Sequence, residues 1–137
     1  MNISSILADH SKYIEPYSTI RTFHEEIGEI LRKREWDSAD FKIYTGLDDM
    51  TFTRLTKQPG YRFSKRVIVT ICIGLELDLG TVERLLDLQG HSLAPNGIDL
   101  NYRYLIEKGY TDIEECNRIL TAFGIPKNHH LGTLPKK

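Results

Sequence analysis

A chain of 137 residues, 40% hydrophobic and 27% charged, is expected to fold as one domain or a domain with a small appendage, and is too apolar for intrinsic disorder. Two cysteines exclude a disulfide-rich secreted scaffold and a zinc site built from thiolates alone. A net charge of −1 argues against a general nucleic-acid coat, and the longest apolar run, Val67–Leu75, is broken by Thr70 and Gly74 and too short to span a bilayer.

The opening MNISSILADH lacks the basic and apolar regions of a signal peptide, so the expectation is a reduced, cytoplasmic protein. Residues 1–18 read as an N-terminal arm or short helix. Ile20, Phe23, Ile27, Ile30 and Leu31 then fall at helical spacing, predicting a helix over about 19–34 with Thr22 and Glu25 available as a capping box. Its basic end, Arg32, Lys33 and Arg34, suits the negative pole of the helix dipole. Asp37 caps a second helix through Phe41 and Tyr44, stopped at Gly46; Asp48 caps a third, anchored by Phe52 and Leu55 and ending near Lys57. Gln58, Pro59 and Gly60 mark a turn.

Ser64–Leu77 is rich in β-branched residues, which favours a strand, but no partner strand exists elsewhere in the sequence and a lone strand leaves its backbone unsatisfied. A fully buried helix capped by Ser64 is therefore expected, with Gly74 costing it about 1 kcal/mol relative to Ala. Val82, Leu85 and Leu86 predict a further helix closed by Gly90, and Ala94–Gly97 reads as a hinge. Two last helices are expected at Ile98–Lys108 and Thr111–Phe123. The second has Thr111 and Glu114 as a capping box and Ile113, Cys116, Leu120 and Phe123 buried. The implied division is 1–18 arm, 19–93 central domain, 94–126 two-helix extension and 127–137 a loosely held tail.

Charge is unevenly placed. Between Met50 and Leu75 there are five cations (Arg54, Lys57, Arg62, Lys65, Arg66) and no carboxylate, which leaves 13 cations against 19 carboxylates elsewhere. Such a window is either a surface that docks on phosphate or a solvated basic face with no partner.

In ADFKIYTGLDDMTFTRL, Phe41 and Tyr44 pack one helix, Gly46 supplies a left-handed turn, Leu47 plugs it, and Phe52 and Leu55 seat the next helix. This stretch resembles the phage-repressor-like (XRE-type) helix-turn-helix family, and SKRVIVTICIGLEL resembles that family's fourth helix, with Cys72 at its small buried position. The likeness covers about residues 20–90. Through the leucine pair and on to about residue 125 the chain is similar to small bacterial helix-turn-helix modules with a two-helix extension, some attached to enzymatic domains. The resemblance implies an all-α fold: a lambda-repressor-like five-helix bundle containing a helix-turn-helix, plus two C-terminal helices. It also implies a bacterial or phage-like regulator of transcription that binds double-stranded DNA. The chain departs from the family at Lys42, where a small residue is usual, and at Asp49 and Met50, where amides and hydroxyls are common.

On that reading Thr53 and Arg54 reach base edges, Met50 meets a thymine methyl and Asp49 accepts from a cytosine amino group. Arg62, Lys65 and Arg66 clamp phosphates, with Lys42 and Lys57 as further phosphate contacts, and Tyr61 packs on a sugar or covers the core. A homodimer is expected because one short helix reads too few bases, with Tyr102, Tyr104 and Leu105 at its interface. The alternative is an interaction module that keeps the fold without specific DNA binding and uses the basic face or the terminal helices for an acidic protein partner.

Enzymatic readings fail on their residues. His24, Glu25 and Glu26 open a zinc-protease motif, but Gly28 stands where the second His belongs. His129 and His130 adjoin in the tail; Cys72 and Cys116 read as small buried hydrophobes; GLELDLG lacks the Lys and spacing of a phosphate loop. Asp48–Asp49 and Glu114–Glu115 fall at helix starts, where the dipole favours carboxylates. No cofactor, metal or membrane partner is expected.

Overall fold

A computed structural model describes residues 2–134; positions 135–137 of the expected tail lie outside the described residues. The described chain is helical with no strand: α1 (Ile3–Ile14), α2 (Phe23–Arg34), α3 (Ser38–Thr45), α4 (Asp49–Lys57), α5 (Lys65–Gly74), α6 (Leu79–Leu88), α7 (Gly97–Glu107) and α8 (Ile113–Ala122). Single tight helical turns follow at Glu15–Tyr17 and Lys127–His129. No described helix is long and apolar enough to cross a membrane.

Capping sets most boundaries. The Thr22–Glu25 box forms in both directions, and it starts α2 at Phe23 rather than near residue 19, leaving Ile20 exposed ahead of the helix. Asp37, Asp48 and Ser64 each accept from the amide three residues on, opening α3, α4 and α5. At α8 the cap is Asp112, accepting from Glu115 N at 3.1 Å, and not Thr111. A carboxylate outcompetes the neighbouring hydroxyl because its hydrogen bond to the orphan amide is charge-assisted. The resulting frame leaves Phe123 beyond the helix and exposed.

α5 is the centre of the molecule. Every residue from Ile68 to Gly74 is buried, and the helix packs against α3, α6 and α8. The β-branched run is thus a buried helix, because surrounding helices supply the apolar environment while the helix satisfies its own backbone. Gly74 is a requirement of packing: a Cβ there would lie 2.8 Å from the Tyr44 carbonyl oxygen, so α5 and the end of α3 touch through backbone. Tyr44 itself is exposed and stacks on Trp36 at 5.0 Å instead of filling the core.

α7 and α8 share this core. Tyr102 and Leu105 are buried within their own chain, so they are not available to a second copy; Tyr104, partly exposed, packs edge-on against Phe123 at 5.5 Å. The expected hinge is fastened: Asp99 Oδ2 accepts from Ala94 N at 2.9 Å and from Lys65 Nζ at 2.7 Å. Residues 127–134 are fastened to the helices rather than loose. Leu131 and Gly132 are buried, and side chains from α5, α7 and α8 hydrogen-bond the backbone around them.

Candidate functional site

α3 and α4 are joined by three residues, and each has a structural task. Gly46 adopts φ +68, closing α3 through its N–H to the Lys42 carbonyl. Leu47 is buried, and its N–H donates to Thr45 Oγ1, which itself donates to the Phe41 carbonyl. Asp48 accepts from both the N–H and the hydroxyl of Thr51, and these hydrogen bonds hold its carboxyl below the usual carboxylate range. α4 is anchored on one side by Leu55, with Phe52 partly covered against Phe41 at 5.2 Å. Its other side, Asp49, Met50, Thr53 and Lys57, faces solvent.

Arg54 bridges α4 to the loop that follows: its guanidinium lies 4.8 Å from the centroid of Tyr61. Tyr61 in turn packs edge-on against buried Phe63 at 4.7 Å, so the same ring touches the core and carries a cation. The loop is held from behind by the residues that follow α6. Gln89 Oε1 accepts from Phe63 N at 2.7 Å, Gln89 Nε2 donates to the Tyr61 carbonyl, and His91 Nε2 lies 2.8 Å from the Phe63 carbonyl.

The five cations of the Met50–Leu75 window therefore separate into two groups. Arg54 and Lys57 belong to the open face of α4. Arg62 Nη2 donates to the Gln89 carbonyl at 2.7 Å, on the open side of Gly90. Lys65 is ion-paired with Asp99, both side chains mostly covered. Arg66 donates to the carbonyls of His130 and Gly132, and burial lowers its pKa from the usual arginine value. Lys42, one turn before Gly46, lies 3.6 Å from Asp49, a pair exposed at both ends.

Sequence reasoning missed Asp99, Gln89 and the His130 and Gly132 carbonyls as partners of these cations. They lie 27 to 66 residues away, and no local pattern marks them.

Cys72 and Cys116 are buried and their thiols are pushed up to about 12, by burial first in both cases. Burial lowers the pKa of His24, whose Nε2 has no hydrogen-bond partner. Among the described residues no group of three or more His, Cys, Asp or Glu is placed to hold a metal ion. Shallow hollows beside His24 are lined by Arg21, Glu25, Glu29 and Arg32 on one side and by Leu31, Trp36, Phe52 and Pro59 on the other.

Comparison with protein-family models finds no match, and neither curated proteins nor solved structures yield one.

Proposed function

We propose that α3 and α4 form a helix-turn-helix of the repressor-like kind, and that the protein is a DNA-binding transcriptional regulator without enzymatic activity, working in the cytoplasm. The observation that carries the reading is the open face of α4. Nine residues are capped by Asp48 and set on a glycine-closed turn, with Met50, Thr53 and Lys57 exposed and Arg54 beside them. Arg54 is the base-reading residue, steadied by Tyr61; Thr53 and Met50 are the sequence-tuning neighbours, and Asp49 accepts from a cytosine amino group.

The phosphate contacts come from Lys42 and Lys57 rather than from Lys65, paired with Asp99, Arg66, which donates to two tail carbonyls, or Arg62, exposed but with one Nη on the Gln89 carbonyl. Exchanging Asp49 for phosphate costs Lys42 little, since exposed ion pairs are worth roughly 0–1 kcal/mol. Binding to a random duplex pool, with selection at two salt concentrations, tests the reading. With two phosphate contacts per bound copy, log affinity falls with log salt at a slope of roughly −2, from about −0.9 per contact. Arg54→Ala costs roughly 1–3 kcal/mol on the selected site and relaxes one base position, while Lys57→Ala lowers the slope by about one on every sequence. Duplex binding no better than millimolar at low salt overturns it.

One observation favours a second reading, an interaction module that keeps this architecture. Asp99 and Asp49 neutralise Lys65 and Lys42, so the face around α4 carries less free positive charge than the sequence window alone. On that reading the partner is an acidic protein surface, and Arg54 and Lys57 weaken its binding equally when removed.

A further inference from the structure

Among the described residues, His24 Nε2 is the one buried side-chain nitrogen or oxygen without a hydrogen-bond partner. The ring stands at the seam between α2 and the Pro59–Phe63 loop. It lies 6.0 Å from the Phe63 ring and 5.6 Å, edge-on, from that of Phe23, both of them buried. One hollow of about 310 Å³ opens beside it between α2 and α4, and another of about 420 Å³ between α2, the loop and the end of α6. Neither gives Nε2 a protein partner.

We propose that His24 is a pH-sensitive latch: as a neutral ring it closes α2 against the Pro59–Phe63 loop, and as an imidazolium it turns out to solvent and lets that loop go. The neutral ring is an aromatic wedge with a single unanswered nitrogen. A second proton makes Nε2 part of a charged group with nothing to accept from it, and burial penalises a charge far more than a neutral polar atom. His24 is also the second residue of α2, so the added charge sits at the positive pole of the helix dipole.

The surroundings do not offset that cost. The ionisable groups lining the hollows about the ring are Tyr17, Arg21, Glu25, Glu29 and Arg32 on its own side and Arg62 from the loop; α4 and the end of α6 contribute none. Both carboxylates are engaged: Glu25 Oε1 accepts from Thr22 N, and Glu29 pairs with Arg21 and Lys33. Burial accordingly holds the His24 imidazole below the ordinary value of 6.5. The stability that the neutral ring contributes is present above that ordinary value and is lost as pH falls through the lowered folded one, because the unfolded chain takes up the proton first. Release leaves the loop hanging on Gln89 and His91 from the far side. His91 is no second latch, since its Nε2 faces a carbonyl and donates whether or not the ring is charged. The loop carries Tyr61, which holds Arg54; that the latch reaches base reading rests on the DNA-binding proposal, whereas the latch itself does not.

The test needs no DNA. Side-chain NMR of the full chain, assigned with His24→Phe or His24→Gln, should find His24 titrating below 6.5. Chemical denaturation between about pH 8 and about pH 5 should lower the wild-type midpoint. The drop should shrink in both variants, which cannot take the proton. The capping carboxylates Asp48 and Asp78, held below 3.8 by their hydrogen bonds, titrate outside this range. Over the same range the exchange protection of the Phe63 amide should fall several-fold more than that of Ile71 in α5, and this difference should vanish in His24→Phe. Should His24→Phe fail to fold, the wild-type titration and His24→Gln still decide. A His24 that titrates at 6.5 or above, a midpoint whose pH dependence is the same with and without His24, or a Phe63 amide that loses protection only in step with Ile71 overturns the latch.

Discussion

Residues 2–20 and residues 127–134 are both short stretches at the ends of the chain, yet one stands outside the core and the other is threaded into it. The N-terminal stretch makes only local hydrogen bonds, such as Asn2 Oδ1 accepting from Ser4 N and the Ser18 hydroxyl donating to the Glu15 carbonyl. The C-terminal stretch has no long helix, and its backbone is answered group by group from elsewhere. Tyr102 donates to the His129 carbonyl, Arg66 to those of His130 and Gly132, and Asn117 pairs with both the N–H and the carbonyl of Leu131. Thr70 Oγ1 accepts from Gly132 N, and Thr133 N donates to the Gly46 carbonyl in the turn before α4. Irregular backbone can be buried only when its polar groups are paired, and here side chains of α5, α7 and α8 supply the partners. Apolar content does not decide which end docks: the N-terminal stretch has more large hydrophobic residues, and they remain in solvent.

That contrast can be broken most forcefully at Leu131. Leu131→Ala should cost about 2–5 kcal/mol in chemical denaturation, as a buried leucine does, whereas a loose tail would leave the midpoint unchanged. Arg66→Met removes the donor shared by two carbonyls and should cost roughly 1–3 kcal/mol. The same variant should leave the salt slope of DNA binding unaltered; a slope reduced by about one would return Arg66 to the phosphate contacts. Asn117→Ala should cost about 1–2 kcal/mol, seen in the same titration, because Leu131 loses both backbone partners. At the opposite end Leu7→Ser should change stability by under about 0.5 kcal/mol. A larger loss would mean that α1 packs on its own chain.

The parts of the site legible in the sequence are those made within a few residues. Asp48 and Gly46 bracket the turn before α4, and Leu47 plugs it, because a cap or a left-handed residue acts over one helical turn. Even locally, neighbouring candidates compete: at α8 Asp112 displaced Thr111, a choice between adjacent acceptors that spacing cannot make. Tyr61, expected on a sugar or over the core, packs on Phe63 and also meets Arg54, a contact that no local pattern marks.

The basic window shows where reading along the chain stops. The sequence by itself determined that five cations fall between Met50 and Leu75, that α5 is apolar enough to be buried, and that Asp37, Asp48 and Ser64 open α3, α4 and α5, since composition, period and capping are all short-range properties. Only the tertiary structure decided that Lys65 meets Asp99 across 34 residues, that Arg66 meets the tail, and that Gly74 lets α5 rest on the Tyr44 carbonyl. A side chain's charge belongs to its residue, but whether it is offered to a ligand or consumed in holding the fold depends on which partners packing brings within hydrogen-bond distance. Those partners are chosen by the burial of the helices that carry them, a long-range outcome of the whole core.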